Sequence, residues 1–238
     1  MAWWIAAALI SFFIKGICGF ANTLVFSAML SFVSSNIDIS PVSLMLSFPA
    51  NAMMAVQERR SIRLKICLPL CALVIAGIIP GTMMLKHADT GLIRILFGAV
   101  VIALGVEMLI RDARPSNGGQ SRLALVAIGV ASGLLCGLYG IGALLSAYIG
   151  RVTKDSRSFK GNICFVFFVE NAARVILYTA TGILTLDVLR RSLMILPFAL
   201  LGLWLGMRVS DRIDERIARK TVIIMLIASG AALILKAL

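Results

Sequence analysis

The apolar stretch from Ala2 to Val33 carries Lys15-Gly16-Ile17-Cys18-Gly19 near its middle, and the stretch from Leu123 to Gly150 carries Gly137-Leu138-Tyr139-Gly140-Ile141-Gly142. How these two stretches are read decides the fold. As continuous helix the first would be about 48 Å long, too long for one upright crossing of a hydrocarbon core about 30 Å thick and too short for two complete ones. Glycine permits a break or sharp turn at each patch. Each stretch is therefore either one kinked crossing or a hairpin that enters and leaves on the same side.

The rest of the chain is that of a polytopic membrane protein. Of its 238 residues 60% are hydrophobic and 14% charged, with a mean hydropathy of +0.99, whereas soluble chains are about half apolar and a quarter charged. Apolar runs long enough to cross fall at 41–57, 66–85, 91–110, 161–182, 192–208 and 220–237. The formal charge of +12 would suggest nucleic acid in a soluble chain. Next to a bilayer it is first an orientation signal, and no nucleic-acid partner is expected. Cys18, Cys67, Cys71, Cys136 and Cys164 all lie in apolar runs without CxxC or histidine spacing, so they read as packing residues, and no metal or cofactor is expected. The start Met1-Ala-Trp-Trp lacks a basic n-region and a cleavage site, so no removable signal peptide is expected, and Trp3 and Trp4 are expected to anchor the N-terminus at the interface.

Loop charge separates the two readings by parity. If both stretches cross once, ten basic residues face eleven. If both are hairpins, Arg59, Arg60, Arg63, Lys65, Arg111, Arg114 and Arg122 share a face with Arg151, Lys154, Arg157, Lys160 and the basic residues of 208–220, making 16. Only Lys86, Arg94, Arg190, Arg191 and Lys236 stay opposite. The positive-inside rule selects the hairpins, with a multi-pass topology in the cytoplasmic membrane and both termini outside.

An internal repeat supports this topology. Gly16 and Gly19 recur as Gly137 and Gly140 at an offset of 121, and Phe48-x-x-Asn51-Ala52 recurs as Phe168-x-x-Asn171-Ala172 at 120. Gly77-x-x-x-Gly81 recurs as Gly202-x-x-x-Gly206, and Arg94 with Gly105 as Arg219 with Gly230, both at 125. The expected first repeat is 1–110 (hairpin 2–33 and three spans), then a cytoplasmic linker at 111–122 and a second repeat at 123–238 (hairpin 123–150 and three spans). Each copy crosses an odd number of times, so the second is upside down relative to the first. The fold class is an all-α membrane protein built as an inverted repeat, each half a glycine-broken helical hairpin plus three transmembrane helices, an architecture common among secondary transporters.

Lys15, Glu170 and Arg174 are the charges left deep in the hydrocarbon, each costing about 2.5–3.5 kcal/mol on insertion scales. They leave a net positive interior. The second arm of each hairpin begins after its glycines, so positive helix ends point toward the midplane as well. Both features favour an anion. The expected substrate-binding residues are Lys15, Gly16, Gly19, Asn22, Asn51, Gly140, Asn171 and Arg174, with Glu170 the candidate carrier of a coupling proton. A bland reading stands beside each: Glu170 and Arg174 as a self-satisfied i, i+4 pair, Lys15 as a snorkelling cation, and the asparagines as packing residues. The repeated G-x-x-x-G pairs are expected as close helix contacts within one chain.

The run Gly133-Leu-Leu-Cys-Gly137-Leu-Tyr-Gly140-Ile-Gly142, followed by Ser158-Phe159-Lys160-Gly161, Phe167-Phe168, Arg174 and Tyr178-x-x-x-Gly182-Ile-Leu-Thr185, resembles the sulfite exporter TauE/SafE family of membrane permeases. A weaker copy of the glycine motif occupies Gly16 to Phe20. The sequence departs from the family where its motif often continues with glycine and proline, since Ala143-Leu144-Leu145 and Ala21-Asn22-Thr23 stand there, and Lys160 replaces a common arginine. The resemblance implies movement of sulfur-containing anions such as sulfite or organosulfonates across the cytoplasmic membrane.

The expected function is thus a secondary transporter exporting a small sulfur-containing anion by alternating access at a midplane site. The alternatives are an anion channel and an importer of an organic anion. An intramembrane enzyme is not expected, because no paired carboxylates or nucleophile–base spacing occurs within the spans. The expected partners are the small anion and the bilayer, with the chain a monomer or homodimer.

Overall fold

Gly19 ends helix α1 (Ala2–Cys18) in the left-handed region at φ 85°, its N–H donating to the Lys15 carbonyl at 2.6 Å. The chain then reverses into α2 (Asn22–Leu30). The Trp3 indole N–H donates to the Met29 carbonyl at 2.9 Å, and the rings of Trp4 and Phe26 meet edge to face at 5.8 Å. The start of α1 therefore lies beside the end of α2, as a hairpin requires. Trp3 stays exposed at the mouth, but Trp4 is buried. It packs against Phe26 with the Arg191 guanidinium over its ring, so of the two expected anchors only Trp3 is placed for the interface.

The computed structural model describes residues 1–30, 33–87, 122–140, 142–153 and 155–210, with isolated helical positions within 95–109 and 223–234. The expected spans 91–110 and 220–237 and the linker 111–122 lie largely outside the described residues. The second hairpin is α5 (Arg122–Tyr139) and α6 (Ala143–Val152), broken at Gly140, whose φ is 71°. The remaining helices are α3 (Asn36–Gln57), α4 (Leu64–His87), α7 (Ser156–Ala180) and α8 (Leu186–Ser210). All four are long and apolar enough to cross a membrane, and no strand occurs among the described residues. The protein is an all-α membrane protein. Helix α7 begins five residues before the expected span at 161 because the Asp155 side chain caps it, accepting from the Ser158 N–H at 2.8 Å.

Contacts show how the two copies are related. Ser40 meets Tyr178, Phe48 stacks on Phe168 at 5.1 Å with rings 7° apart, and Met54 meets Cys164. Residue numbers rise along α3 as they fall along α7, so these helices, equivalent at the offset of 120, run antiparallel. The repeated phenylalanines stack where these two helices cross. The basic segment after α3 also lies at the start of α7: the Arg63 N–H donates to Asn162 Oδ1 at 2.7 Å. Residues 59–65 and 155–162 therefore share one face, the basic face, which is the arrangement the hairpin parity demands.

Each copy's G-x-x-x-G helix packs against the first arm of the other copy. A Cβ on Gly77 would run into the Val130 carbonyl and one on Gly81 into that of Leu134; Gly202 and Gly206 press likewise on the carbonyls of Leu9 and Phe13. Such backbone contact gains the dispersion that helix association in lipid depends on. Gly206→Val is expected to lower stability by about 3 kcal/mol, because the obstacle is backbone and cannot rotate away. At Gly129 an added Cβ would come 2.7 Å from Leu73 Cβ, an atom that no side-chain rotation moves, so Gly129→Ala is also expected to destabilise, but by less than Gly206→Val because the obstacle is not backbone. Thermal unfolding in detergent checks both; equal effects would show that backbone approach is not what the glycines provide.

Candidate functional site

Two polar stripes face each other between the hairpin tips. Ser40, Ser43, Ser47 and Asn51 recur at helical spacing along α3, and Glu170, Asn171, Arg174 and Tyr178 along α7. Most are buried, and so is Lys15 at the end of α1, with 0% of its surface exposed. Buried polar side chains in a bundle demand partners, and the partners come from different helices.

Lys15 Nζ donates to Asn22 Oδ1 at 3.2 Å and lies 5.7 Å from the centroid of the Phe167 ring. Asn22 passes the link on, its Nδ2 donating to Ser47 Oγ at 2.7 Å. Ser43 Oγ donates to Thr23 Oγ1 at 3.2 Å. The first hairpin tip is thus tied to α3 through the first residues of α2. Among the described residues Lys15 makes no ion pair. The carbonyl end of α1 and the face of Phe167 offset part of its charge.

Arg174 is held differently. Nη1 donates to Glu170 Oε1 at 3.2 Å, and Nη2 donates to Ser40 Oγ and to the Tyr178 hydroxyl, each at 3.0 Å. The Tyr178 hydroxyl donates to the Gly137 carbonyl at 3.0 Å. The guanidinium also lies against Gly140, where an added Cβ would come 2.8 Å from Nη1. Arg174 therefore binds α7 to α3 and braces the second hairpin tip.

Between these networks lies a partly open pocket, lined by Phe20 to Leu24, Ser47, Asn51, Gly140, Gly142, Phe167, Glu170 and Asn171. The two tips meet here, Thr23 lying against Gly140. The first turn of α2 and the start of the second arm of the other hairpin both border it, so positive helix ends face the cavity. Asn51 Oδ1 and Asn171 Nδ2, which are equivalent by the repeat, are buried without a partner among the described residues. An unpaired buried polar group costs about 1–3 kcal/mol, a cost a bound ligand would remove.

Of the residues expected to bind substrate, Asn22, Asn51, Gly140 and Asn171 border this pocket together with Glu170. Lys15 reaches it through Asn22. Arg174 lies behind Gly140. Gly16 and Gly19 do not border it: Gly16 packs on the backbone of Leu203 to Met207, and Gly19 forms the turn against the stem of Lys160. From the sequence, Ser40, Ser43 and Ser47 have no assigned role and Phe167 and Tyr178 stand only as family landmarks, although the 3–4 spacing of the polar ones with Asn51 and Arg174 is visible there. Ala21 was missed for another reason. Its left-handed φ of 72° is uncommon for a residue with a Cβ, so the tip holds local strain beside the pocket.

A family model described as Sulfite exporter TauE/SafE matches residues 4–233. No curated protein and no solved structure matches the chain.

Proposed function

Since the chain belongs to the sulfite exporter TauE/SafE family, a family of membrane transporters, we propose that it is a secondary transporter of a small sulfur-containing anion, sulfite or an organosulfonate, exporting it across the cytoplasmic membrane by alternating access at the pocket between the hairpin tips. One observation carries this reading: a fully buried ammonium, Lys15, which has no ion-pair partner among the described residues, beside a pocket where two equivalent asparagines hold polar atoms unpaired among those residues. Glu170 and Arg174 neutralise each other, so the surplus at the site is one positive charge, which a bound anion would balance. Lys15 and Asn171 would donate to the oxyanion, and Asn51 would accept from a protonated or amino-bearing substrate.

Coupling to an ion gradient fits a chain without a Walker A motif. Glu170, which borders the pocket, is the proposed proton carrier. The basic face is assigned to the cytoplasm by its excess of arginine and lysine.

Purified protein in liposomes is expected to carry radiolabelled sulfite with saturation and with counterflow. The double variant Asn51→Ala with Asn171→Ala is expected to raise KM about tenfold. Flux that rises linearly and shows no counterflow would make the protein a channel, and unchanged KM would remove the asparagines from the site.

A further inference from the structure

A second pocket lies on the other side of the first hairpin tip. It is partly open to the outside, and Gly16, Gln57, Glu58, Lys160 and Ser210 are among its lining residues. It shares no residue with the central pocket. Gly16 borders one cavity and Phe20 to Leu24 the other, so the tip is the wall between them. Gln57, Glu58, Lys160 and Ser210 stand at the ends of α3, α7 and α8 that form the basic face, which places this pocket between that face and the central site.

Lys160 is its cation. The ammonium donates to Ser210 Oγ, and Ser210 Oγ donates to the Ile17 carbonyl at 3.3 Å. Among the described residues Lys160 makes no ion pair, so donor capacity remains for an oxyanion. The Lys160 stem packs on Gly19, which ties the same side chain to the turn of the tip. Glu58 in the lining opposes an anion and keeps residence short. A site on a transport route needs such weakness, since an ion must leave as well as enter.

We propose that this pocket is an oxyanion-binding antechamber with Lys160 as its ligand, and that the first hairpin tip is the partition an anion passes between it and the central site. An oxyanion that takes the ammonium from Ser210 also loosens the link from α7 through Ser210 to Ile17, so occupancy of the antechamber favours movement of the tip. The role as a station on the route rests on the transport reading; the binding site itself does not.

Equilibrium dialysis of the purified full-length protein with radiolabelled sulfite tests it. The wild type is expected to show two sites per chain, a tighter and a weaker one. Lys160→Gln loses the weaker site and Lys160→Arg keeps it, while Lys15→Met loses the tighter site alone. Ser210→Ala, which removes the internal competitor for Lys160, tightens the weaker site about threefold. A single site in the wild type, or both sites retained in Lys160→Gln, overturns the proposal. If Lys160→Gln does not fold, an unchanged weaker site in Ser210→Ala overturns it. Should Lys15→Met keep both sites while Lys160→Gln loses one, the central-site reading fails and the antechamber stands.

Discussion

Lys15→Met is expected to abolish transport and to leave the protein at least as stable as the wild type. A methionine fills nearly the same volume without the cost of burying an ammonium, and among the described residues Lys15 has no carboxylate paired to it whose charge would be stranded. Among the described residues the hydrogen-bond partner left behind is Asn22 Oδ1, on a side chain still tied to Ser47. Substrate binding bears the loss. Truncating one partner of a buried charged contact costs about 2–5 kcal/mol, or roughly 30- to 5,000-fold in affinity. Sulfite flux in liposomes, read beside the melting temperature in detergent, separates the two effects. Flux within about fivefold of wild type in a folded Lys15→Met protein would remove Lys15 from the site, since a change that small is under about 1 kcal/mol.

Arg174→Met has the opposite signature. Its guanidinium satisfies Glu170, Ser40 and Tyr178, so its removal strands a buried carboxylate and breaks the brace on the second tip. Breaking a buried ion pair from one side costs about 3–5 kcal/mol, enough to reduce folded yield sharply. The double variant Arg174→Met with Glu170→Gln is expected to recover most of that stability, because no uncompensated charge remains. A protein that melts normally as Arg174→Met but no longer binds sulfite would show that Arg174 is a ligand and not a strut.

Much of the fold was legible before any coordinate. The cost of placing charge in lipid falls on each residue separately, so hydropathy and loop charge report on topology without knowledge of packing. The hairpin parity follows from that alone, and the antiparallel run of α3 against α7 agrees with it. Helix ends were less legible. Arg157 and Lys160 read as loop, yet the Asp155 cap starts α7 ahead of them, since a cap depends on the geometry of one side chain and not on mean hydropathy. Gly16 and Gly19 looked alike in the motif. One is spared a Cβ by the backbone of α8, the other is required by a left-handed turn, and a sequence motif does not distinguish close approach from positive φ.

The sequence by itself determined which groups the membrane interior contains: Lys15, Glu170, Arg174 and the repeated asparagines, each conspicuous because lipid penalises it wherever it points. Only the tertiary structure decided which of them is available. Whether a buried cation is spent depends on donors and acceptors brought from other helices, such as Ser40 at Arg174 and Asn22 at Lys15. It is hydrogen-bond saturation across helices that separates a strut from a ligand, and saturation is a property of the packed bundle.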